Sequence, residues 1–299
     1  MNTPIDPDAL LATLERDGVV RLPLPLLGGA ALERVQSEWA ARVAHIQHNG
    51  QAGYEARDPF RRIVHDALTV SPDLTRAALH PSIVEVVRRY VGADAALTEA
   101  KGWRTMPTEL DFHGWHNDAW YDPDLDHVPR QLKLAVYLSD VTSGAFAYAP
   151  GTHGQRAHRH YSEAEVDAFA RDPVVLDAPA GHAFLFDVSG VHRQTVPVLT
   201  ARDAVFIVFH DPSVPLQAAD VAASRYRPAL VPVDALDGMT PDQLRLLGVG
   251  RRELRDAMRP PSPVDPGWRA ALARAEAGYH AASRLSRRVR ARLSRSRLA

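Results

Sequence analysis

Apolar residues recur every three or four positions through most of the N-terminal third of this chain. This spacing is typical of amphipathic helices. Helices are predicted over residues 6–16, 30–46 and 71–91. Asp6 is the expected N-cap of the first helix, Pro7 occupies its first helical position, and Pro81 is expected to interrupt the third. Residues 6–91 should therefore be mainly helical.

Between about Ala96 and Phe209 the pattern changes to an alternation of apolar and polar residues, rich in β-branched side chains. Alternation with turn residues at short intervals predicts strands. The expected fold class is mainly β with flanking α-helices, the strands closing into a barrel. The helical pattern returns from Val231, and the proline-rich residues 260–263 precede a last predicted helix that begins near Pro266.

With 299 residues and 45% hydrophobic content, the chain can bury a complete core in one domain. We expect one domain over residues 1–299, with a β core at about 96–212, N-terminal helices at 6–91, a C-terminal helical extension at 213–299 and a basic tail at 284–299. The formal net charge of −1 makes nucleic acid an unlikely partner. Without a secretory signal or a long apolar run, we expect a soluble, cytoplasmic protein with no membrane insertion.

A histidine and a carboxylate two residues apart, His116 and Asp118, suggest a metal site. In an extended segment both side chains project to the same side. The later His192 ends an apolar segment that resembles a buried strand broken at Ser189–Gly190. Two imidazoles and one carboxylate form the facial triad of non-haem Fe(II) oxygenases. Because the chain has no cysteine, any metal must be held by such residues.

Ten residues after His192, Arg202 opens an apolar run in which it shares one strand face with Ala204, Phe206 and Val208. A guanidinium on an apolar face needs an anionic partner or access to water. A carboxylate ligand held by two hydrogen bonds would provide that partner. The alternative is an arginine at the mouth of the strand that reaches solvent.

The chain resembles the phytanoyl-CoA dioxygenase family of Fe(II)/2-oxoglutarate oxygenases over roughly residues 15–212. The resemblance is carried by the segments Asp17–Val20, Trp115–Asp118, Val136–Val141, Gly144–His153 and Gly181–Arg202. It implies a double-stranded β-helix of the cupin (jelly-roll) type. It also implies that His116, Asp118 and His192 hold Fe(II) and that Arg202 grips the distal carboxylate of 2-oxoglutarate. His182 departs from the acidic residue that the family often has after the glycine.

The only two lysines of the chain, Lys101 and Lys133, lie beside the proposed site in sequence. Lys133 should share a strand face with Ala135 and Tyr137, which in a barrel would be the pocket. Each lysine is a candidate contact for a cofactor carboxylate, and the alternative is an ammonium that reaches water.

Aromatic residues near the triad are candidates for a substrate pocket. Trp120, Tyr121 and Tyr148 are expected to contact substrate, although aromatic residues in strands are also common in cores. His153, His158 and His160, interleaved with arginines, are expected in a solvated loop, because arginine would repel a metal cation.

The resemblance implies an enzyme that uses Fe(II), 2-oxoglutarate and O2 to hydroxylate or otherwise oxidise a C–H bond of a small molecule, releasing succinate and CO2. The presence of Asp118 argues against halogenation, which needs that position vacant. Two other classes stay open at this point. The same ligands could hold Zn(II) in a hydrolase, which would need neither Arg202 nor O2. The barrel could also bind a small molecule without catalysis.

The last segment, residues 284–299, contains seven arginines and no acidic residue. Leu285, Val289 and Leu293 follow helical spacing, so the segment predicts either a basic amphipathic helix or a solvated tail. An acidic protein or anionic surface would be its partner.

Overall fold

The computed structural model describes residues 5–46, 61–111, 113–118, 125–154, 159–170, 172–214 and 229–251. Within these ranges the strands are β1 (Val19–Arg21), β2 (Arg61–His65), β3 (Ala96–Thr105), β4 (Trp115–His116), β5 (Leu132–Tyr137), β6 (Val141–Tyr148), β7 (His160–Tyr161), β8 (Val174–Ala178), β9 (Ala183–Asp187), β10 (His192–Gln194) and β11 (Arg202–His210). The helices are α1 (Pro7–Asp17), α2 (Gly29–Ala44), α3 (Pro72–Ala78), α4 (Pro81–Tyr90), α5 (Glu163–Phe169) and α6 (Pro241–Leu246). Short 3-10 helices cover Ala67–Val70 and Val233–Leu236.

The strands form two antiparallel sheets. The first has six strands in the order β1-β9-β5-β11-β3-β2, and the second has five in the order β7-β4-β10-β6-β8. From β3 to β6, and again from β8 to β11, consecutive strands alternate between the two sheets. This alternation defines a double-stranded β-helix, or jelly roll. The predicted fold class is confirmed.

The six-stranded sheet extends beyond the predicted core of residues 96–212. Its two edge strands, β1 and β2, come from the part of the chain that was predicted to be helical. Each is short, with three and five residues. In segments this short, apolar residues repeat too few times to show whether their spacing is that of a helix or of a strand.

The N-terminal helices cover the outer face of the six-stranded sheet. The predicted N-cap is confirmed, because the Asp6 carboxylate accepts a hydrogen bond from the Asp8 amide at 2.9 Å. The predicted interruption at Pro81 is also confirmed, since α3 and α4 are separate helices. Their buried residues pack in one cluster with strand residues such as Leu134 and Ile207.

The inner face of the six-stranded sheet faces the second sheet, and a separate cluster fills the space between them. Its members include Ala135, Tyr137, Phe146, Phe184, Phe186, Ala204 and Phe206. Successive side chains of a strand point to opposite faces, so each central strand contributes to both clusters. The barrel interior is therefore apolar along β9, where Phe184 and Phe186 point inward.

After the barrel, α6 begins with a capping box between Thr240 and Gln243 and packs against α4. The helix predicted near Pro266 and the basic tail at 284–299 lie outside the described residues. No helix in the described part of the chain is long and apolar enough to cross a membrane.

Candidate metal centre

The three predicted ligands come together at one end of the barrel. His116 in β4 pairs directly with His192 in β10, and Asp118 follows β4 by two residues. The Asp118 carboxylate lies 3.9 Å from His116 Nε2 and 3.7 Å from His192 Nε2. One donor atom from each residue lies within 4.8 Å of the other two, and all three residues are buried. This is the predicted triad.

Each histidine is held in the orientation that a metal ligand needs. His116 Nδ1 lies 3.0 Å from the Gly114 carbonyl oxygen, and His192 Nδ1 lies 2.8 Å from the Gly190 carbonyl oxygen. A carbonyl can only accept, so both Nδ1 atoms carry the proton and both Nε2 lone pairs face Asp118. Burial also lowers the pKa of His116 well below its usual range, which keeps the imidazole neutral and able to bind a metal.

The carboxylate of Asp118 is ionised although it is buried. Burial opposes its ionisation, but the adjacent ammonium of Lys133 favours the charged form, and the pKa of Asp118 lies well below its usual range. Lys133 Nζ lies 2.5 Å from Asp118 Oδ2. Lys133 projects inward as predicted, and its described contact is the carboxylate of Asp118; its contact with a cofactor carboxylate stays a prediction.

A buried turn ties Asp118 to His192. The Asp118 amide donates to the Val188 carbonyl at 2.8 Å. Asp187 closes the turn by accepting from both the amide and the hydroxyl of Ser189, at 2.8 and 2.6 Å. This network fixes the backbone on which both ligands depend.

Tyr148 belongs to the core and not to a pocket, which corrects the expectation that it contacts substrate. Its side chain is fully buried, and its hydroxyl donates to the Asp187 carbonyl at 2.9 Å. Gly190 gives it room, because a Cβ there would lie 1.7 Å from the Tyr148 hydroxyl oxygen. The other two expected substrate contacts, Trp120 and Tyr121, lie outside the described residues.

Two further histidines lie next to the triad. The His113 ring centroid is 4.9 Å from that of His116, and the His160 centroid is 5.9 Å from it. Burial lowers the pKa of His113 to about 3. His160 was expected in a loop, but it lies in β7 and pairs with His116 across the sheet. The short length of β7 explains why alternation could not reveal it.

Arg202 lies at the start of β11, on the inner face of the six-stranded sheet. Only 3% of it is exposed. Its Nη2 donates to Gln194 Oε1 at 2.5 Å, whereas Nε and Nη1 are buried without a partner among the described residues. Its pKa is lowered to about 10, chiefly by burial; the Tyr137 hydroxyl opposes this shift, and the charge of Arg61 adds to it. A buried cation without a carboxylate is costly, so this position is suited to bind an anionic ligand.

Sequence reasoning missed the neighbours of Arg202. Gln194 follows His192 by two residues and could have been found from strand alternation. Arg61 lies in β2, with its Nη2 3.5 Å from the same Gln194 oxygen and its guanidinium over the ring of Trp103. No local pattern indicates Arg61, because strand pairing brings it there: β2 pairs with β3 at Thr105, which pairs with Arg202.

Lys101 lies on the inner face of β3, where it pairs with Phe206 across the sheet. Its ammonium forms an ion pair with Glu99, a residue that the sequence did not single out. Both side chains are about one-fifth exposed. The described contact of Lys101 is thus with a carboxylate of the protein.

A jelly roll with two histidines and one carboxylate at one end defines the class of non-haem metal oxygenase barrels. The chain belongs to the phytanoyl-CoA dioxygenase (PhyH) family, whose model matches residues 14–195. That match includes all three ligand candidates and ends before Arg202. The predicted family is confirmed. Comparison with curated protein sequences gives no match.

Solved structures share the fold at low sequence identity. EctD from S. alaskensis, solved with 2-oxoglutarate and 5-hydroxyectoine, is 19% identical with a TM-score of 0.59, covering 72% of this chain and 79% of EctD. The carbocyclase SnoK from nogalamycin biosynthesis is 19% identical with a TM-score of 0.58, covering 76% of this chain and 95% of SnoK. The epimerase SnoN from the same biosynthesis is 20% identical with a TM-score of 0.56, covering 72% and 87%. These similarities establish the fold.

Proposed function

We propose that the protein is an Fe(II)/2-oxoglutarate-dependent oxygenase that hydroxylates a C–H bond of a small molecule. One observation carries this proposal: the buried guanidinium of Arg202, whose Nε and Nη1 atoms have no hydrogen-bond partner among the described residues, lies in the same barrel interior as a complete facial triad. A metal alone does not need that cation. A cosubstrate that binds metal at one end and has a carboxylate at the other needs both.

The residues of the triad fit iron. Two imidazole nitrogens and one carboxylate oxygen leave further coordination positions for a bidentate ligand and for O2. Bound Fe(II) would supply the activation of O2, with one oxygen atom going to succinate and the other to the substrate while CO2 leaves. The protein itself would orient the ligands, and Lys133 would hold Oδ2 of Asp118 in place.

The other end of the cosubstrate has a prepared site. The distal carboxylate of 2-oxoglutarate would accept hydrogen bonds from Nε and Nη1 of Arg202, while Gln194 keeps Nη2 occupied and the guanidinium aligned. Arg61, near the same amide oxygen, adds positive charge. Trp103 stacks on Phe206 at 4.6 Å and forms an aromatic wall beside this site, which limits access of water.

The same observations weigh against the two other classes. A Zn(II) hydrolase would have no use for a buried Arg202 with partnerless N–H groups, and such a group would only cost stability. A barrel that had lost catalysis would have no reason to keep both Nδ1–carbonyl contacts and the Lys133–Asp118 pair. The structural relatives include an epimerase, a carbocyclase and a monooxygenase, so hydroxylation is the part of this proposal that needs a direct test.

The test uses the full chain, stripped of metal and reloaded with Fe(II) or Zn(II). We expect the Fe(II) form, and not the Zn(II) form, to convert 2-oxoglutarate slowly to succinate and CO2 under air. Under anaerobic conditions the Fe(II) form should give a visible charge-transfer band on adding 2-oxoglutarate. Asp118→Ala is the control, because it should lose both signals. Hydrolytic activity with Zn(II) and no charge-transfer band with Fe(II) would contradict the proposal.

A further inference from the structure

A buried hydrogen bond connects the helix layer outside the barrel to the backbone around the metal centre. Asp187 ends β9 and shares a strand face with Ala183 and Leu185, which pack in the cluster between the sheet and the helices. On that side its Oδ2 accepts a hydrogen bond from the hydroxyl of Tyr90, the last residue of α4, at 2.8 Å. Asp187 is 2% exposed and Tyr90 is 3% exposed, so this hydrogen bond is shielded from water.

The same Asp187 holds the turn that follows it. Residues 188–190, here called the ligand turn, connect β9 to His192. Each of their three backbone amides donates a hydrogen bond. The acceptors are the Gln131 carbonyl at 3.1 Å, Oδ1 of Asp187 at 2.8 Å and the Asp187 carbonyl at 3.2 Å, in chain order. Two of the three amides of the ligand turn thus depend on Asp187.

The three carbonyls of the ligand turn accept hydrogen bonds from the residues that carry the metal ligands. In chain order, the donors are the Asp118 amide at 2.8 Å, Asn117 Nδ2 at 3.2 Å and His192 Nδ1 at 2.8 Å. Asn117 lies between His116 and Asp118 and is fully buried. A displacement of the ligand turn would therefore change the positions of all three ligands relative to one another.

The Tyr90 hydroxyl is needed to keep the Asp187 carboxylate in its orientation. Burial raises the pKa of Asp187, and the hydrogen bonds from Ser189 and Tyr90 oppose this shift. Tyr90 is the only donor to Oδ2 among the described residues. Without that donor, a buried carboxylate oxygen would be unsatisfied, which favours rotation of the carboxylate or its protonation. Both changes disturb Oδ1, because the carboxylate is one planar group, and with it the bond to Ser189.

We propose that Tyr90, a residue of the outer helix layer, is a positioning residue for the metal centre. Tyr90 acts through the carboxylate of Asp187, and Asp187 acts through the ligand turn. This inference rests on the metal centre of the proposed function and not on its cosubstrate. It links the affinity for the metal to the packing of α4 against the sheet, on the face opposite to the triad.

The experiment measures metal affinity and stability of the full chain in parallel. The metal-free protein is titrated with Fe(II) without oxygen and, separately, with Zn(II), and its free energy of unfolding is measured with denaturant. Tyr90→Phe removes only the hydroxyl. We expect the Kd for both metals to rise about tenfold, the lower end of the loss typical for residues that orient metal ligands. With 2-oxoglutarate present, the charge-transfer band of the Fe(II) form should shift, because the ligand directions change.

Thr75→Val is the matched control for the loss of a buried hydroxyl. Thr75 lies in α3, in the same helix layer, and its hydroxyl donates to the Leu68 carbonyl at 3.0 Å. This variant should lower the free energy of unfolding, as Tyr90→Phe does, because each loses a buried hydrogen bond. It should leave both metal affinities and the charge-transfer band unchanged, because Thr75 makes no described contact with the ligand turn.

Variants of Asp187 test the path of the effect. Asp187→Ala should weaken metal binding at least as much as Tyr90→Phe, and adding Tyr90→Phe to it should cause no further loss, because the hydroxyl then has nothing to hold. Asp187→Asn should recover most of the affinity lost in Asp187→Ala, since its oxygen can accept from Ser189 and its amide can donate to the Tyr90 oxygen.

Three results would overturn the proposal: wild-type metal affinities in Tyr90→Phe, additive losses in the double variant, or no recovery in Asp187→Asn. If Tyr90→Phe does not fold, the comparison of the alanine and asparagine variants of Asp187 decides. A wild-type protein that binds Zn(II) but gives no charge-transfer band with Fe(II) and 2-oxoglutarate would refute the proposed function instead, and the Zn(II) titration would still decide the role of Tyr90.

Discussion

Replacing the buried Arg202 should have opposite effects on two quantities: it should weaken the binding of 2-oxoglutarate, and it should not destabilise the ligand-free protein. Replacement by methionine keeps the volume and removes the charge. Two charge-assisted hydrogen bonds to a cosubstrate carboxylate, from Nε and Nη1, would be lost at about 1.5 to 3 kcal/mol each. The net loss should be about 3 to 5 kcal/mol of binding free energy, so the Kd for 2-oxoglutarate should rise by roughly a hundredfold to several thousandfold.

The same substitution should not destabilise the ligand-free protein. Wild-type Arg202 is a buried cation that lacks a carboxylate among the described residues, so its removal should leave the free energy of unfolding unchanged or raise it. In the wild type, 2-oxoglutarate at a hundred times its Kd should add about 2.7 kcal/mol of stability, and in Arg202→Met the same concentration should add about 0.4 kcal/mol or less.

The assay is a titration of the anaerobic Fe(II) protein by its charge-transfer band, together with denaturant unfolding of the ligand-free protein. Arg104→Met is the matched control, because Arg104 lies on the neighbouring strand and its guanidinium makes two hydrogen bonds to Asp203, at 2.9 and 2.7 Å. It should lower stability and leave 2-oxoglutarate affinity unchanged. 2-Oxovalerate, which lacks the distal carboxylate, should bind the wild type and Arg202→Met alike. If Arg202→Met keeps wild-type affinity for 2-oxoglutarate, the reasoning is wrong.

Three further predictions concern the metal centre and the core. Alanine at His116, Asp118 or His192 should abolish Fe(II) binding in a protein that keeps its far-ultraviolet circular dichroism, and full turnover in any of them would refute the triad. Lys133→Met should weaken Fe(II) binding by about 10- to 100-fold in a metal titration, because Asp118 loses its ammonium partner; equal affinity would contradict that role. Burial lowers the pKa of His210 to about 4, below its unfolded value, so the unfolded state binds the proton first and stability should fall as the pH drops from about 6.5 to 4. The metal-free protein should lose up to about 3 kcal/mol through this group, and His210→Gln should flatten the pH profile of unfolding; parallel profiles would exclude His210.

Local features of the sequence determined the metal ligands and most of the helices. The two-residue spacing of His116 and Asp118 sets their common side in any extended segment, and the inward direction of Arg202 follows from its alternation with the apolar residues of β11. Helix caps are equally local, which is why Asp6 and the break at Pro81 were predictable. Each of these features depends on residues only a few positions apart.

Strand pairing decided the rest. Arg61 reaches the Arg202 site only because β2 pairs with β3, which pairs with β11 at a particular register. The contact between Lys133 and Asp118 joins β5 of one sheet to the segment that follows β4 of the other sheet. Register between distant segments depends on packing of the whole core, and a pattern along one segment does not contain it.

Burial of individual side chains was also decided by the tertiary structure. As an aromatic residue near the triad, Tyr148 was expected to contact substrate. Its hydroxyl instead donates a hydrogen bond to a backbone carbonyl in the core, in space that Gly190 leaves open. Lys101 was a candidate cofactor contact from the sequence, and only the fold shows that it pairs with Glu99, which no pattern singled out. The sequence alone determined which side chains could bind a metal, whereas only the folded barrel decided which charges face it, because burial and electrostatic balance are properties of the assembled sheets.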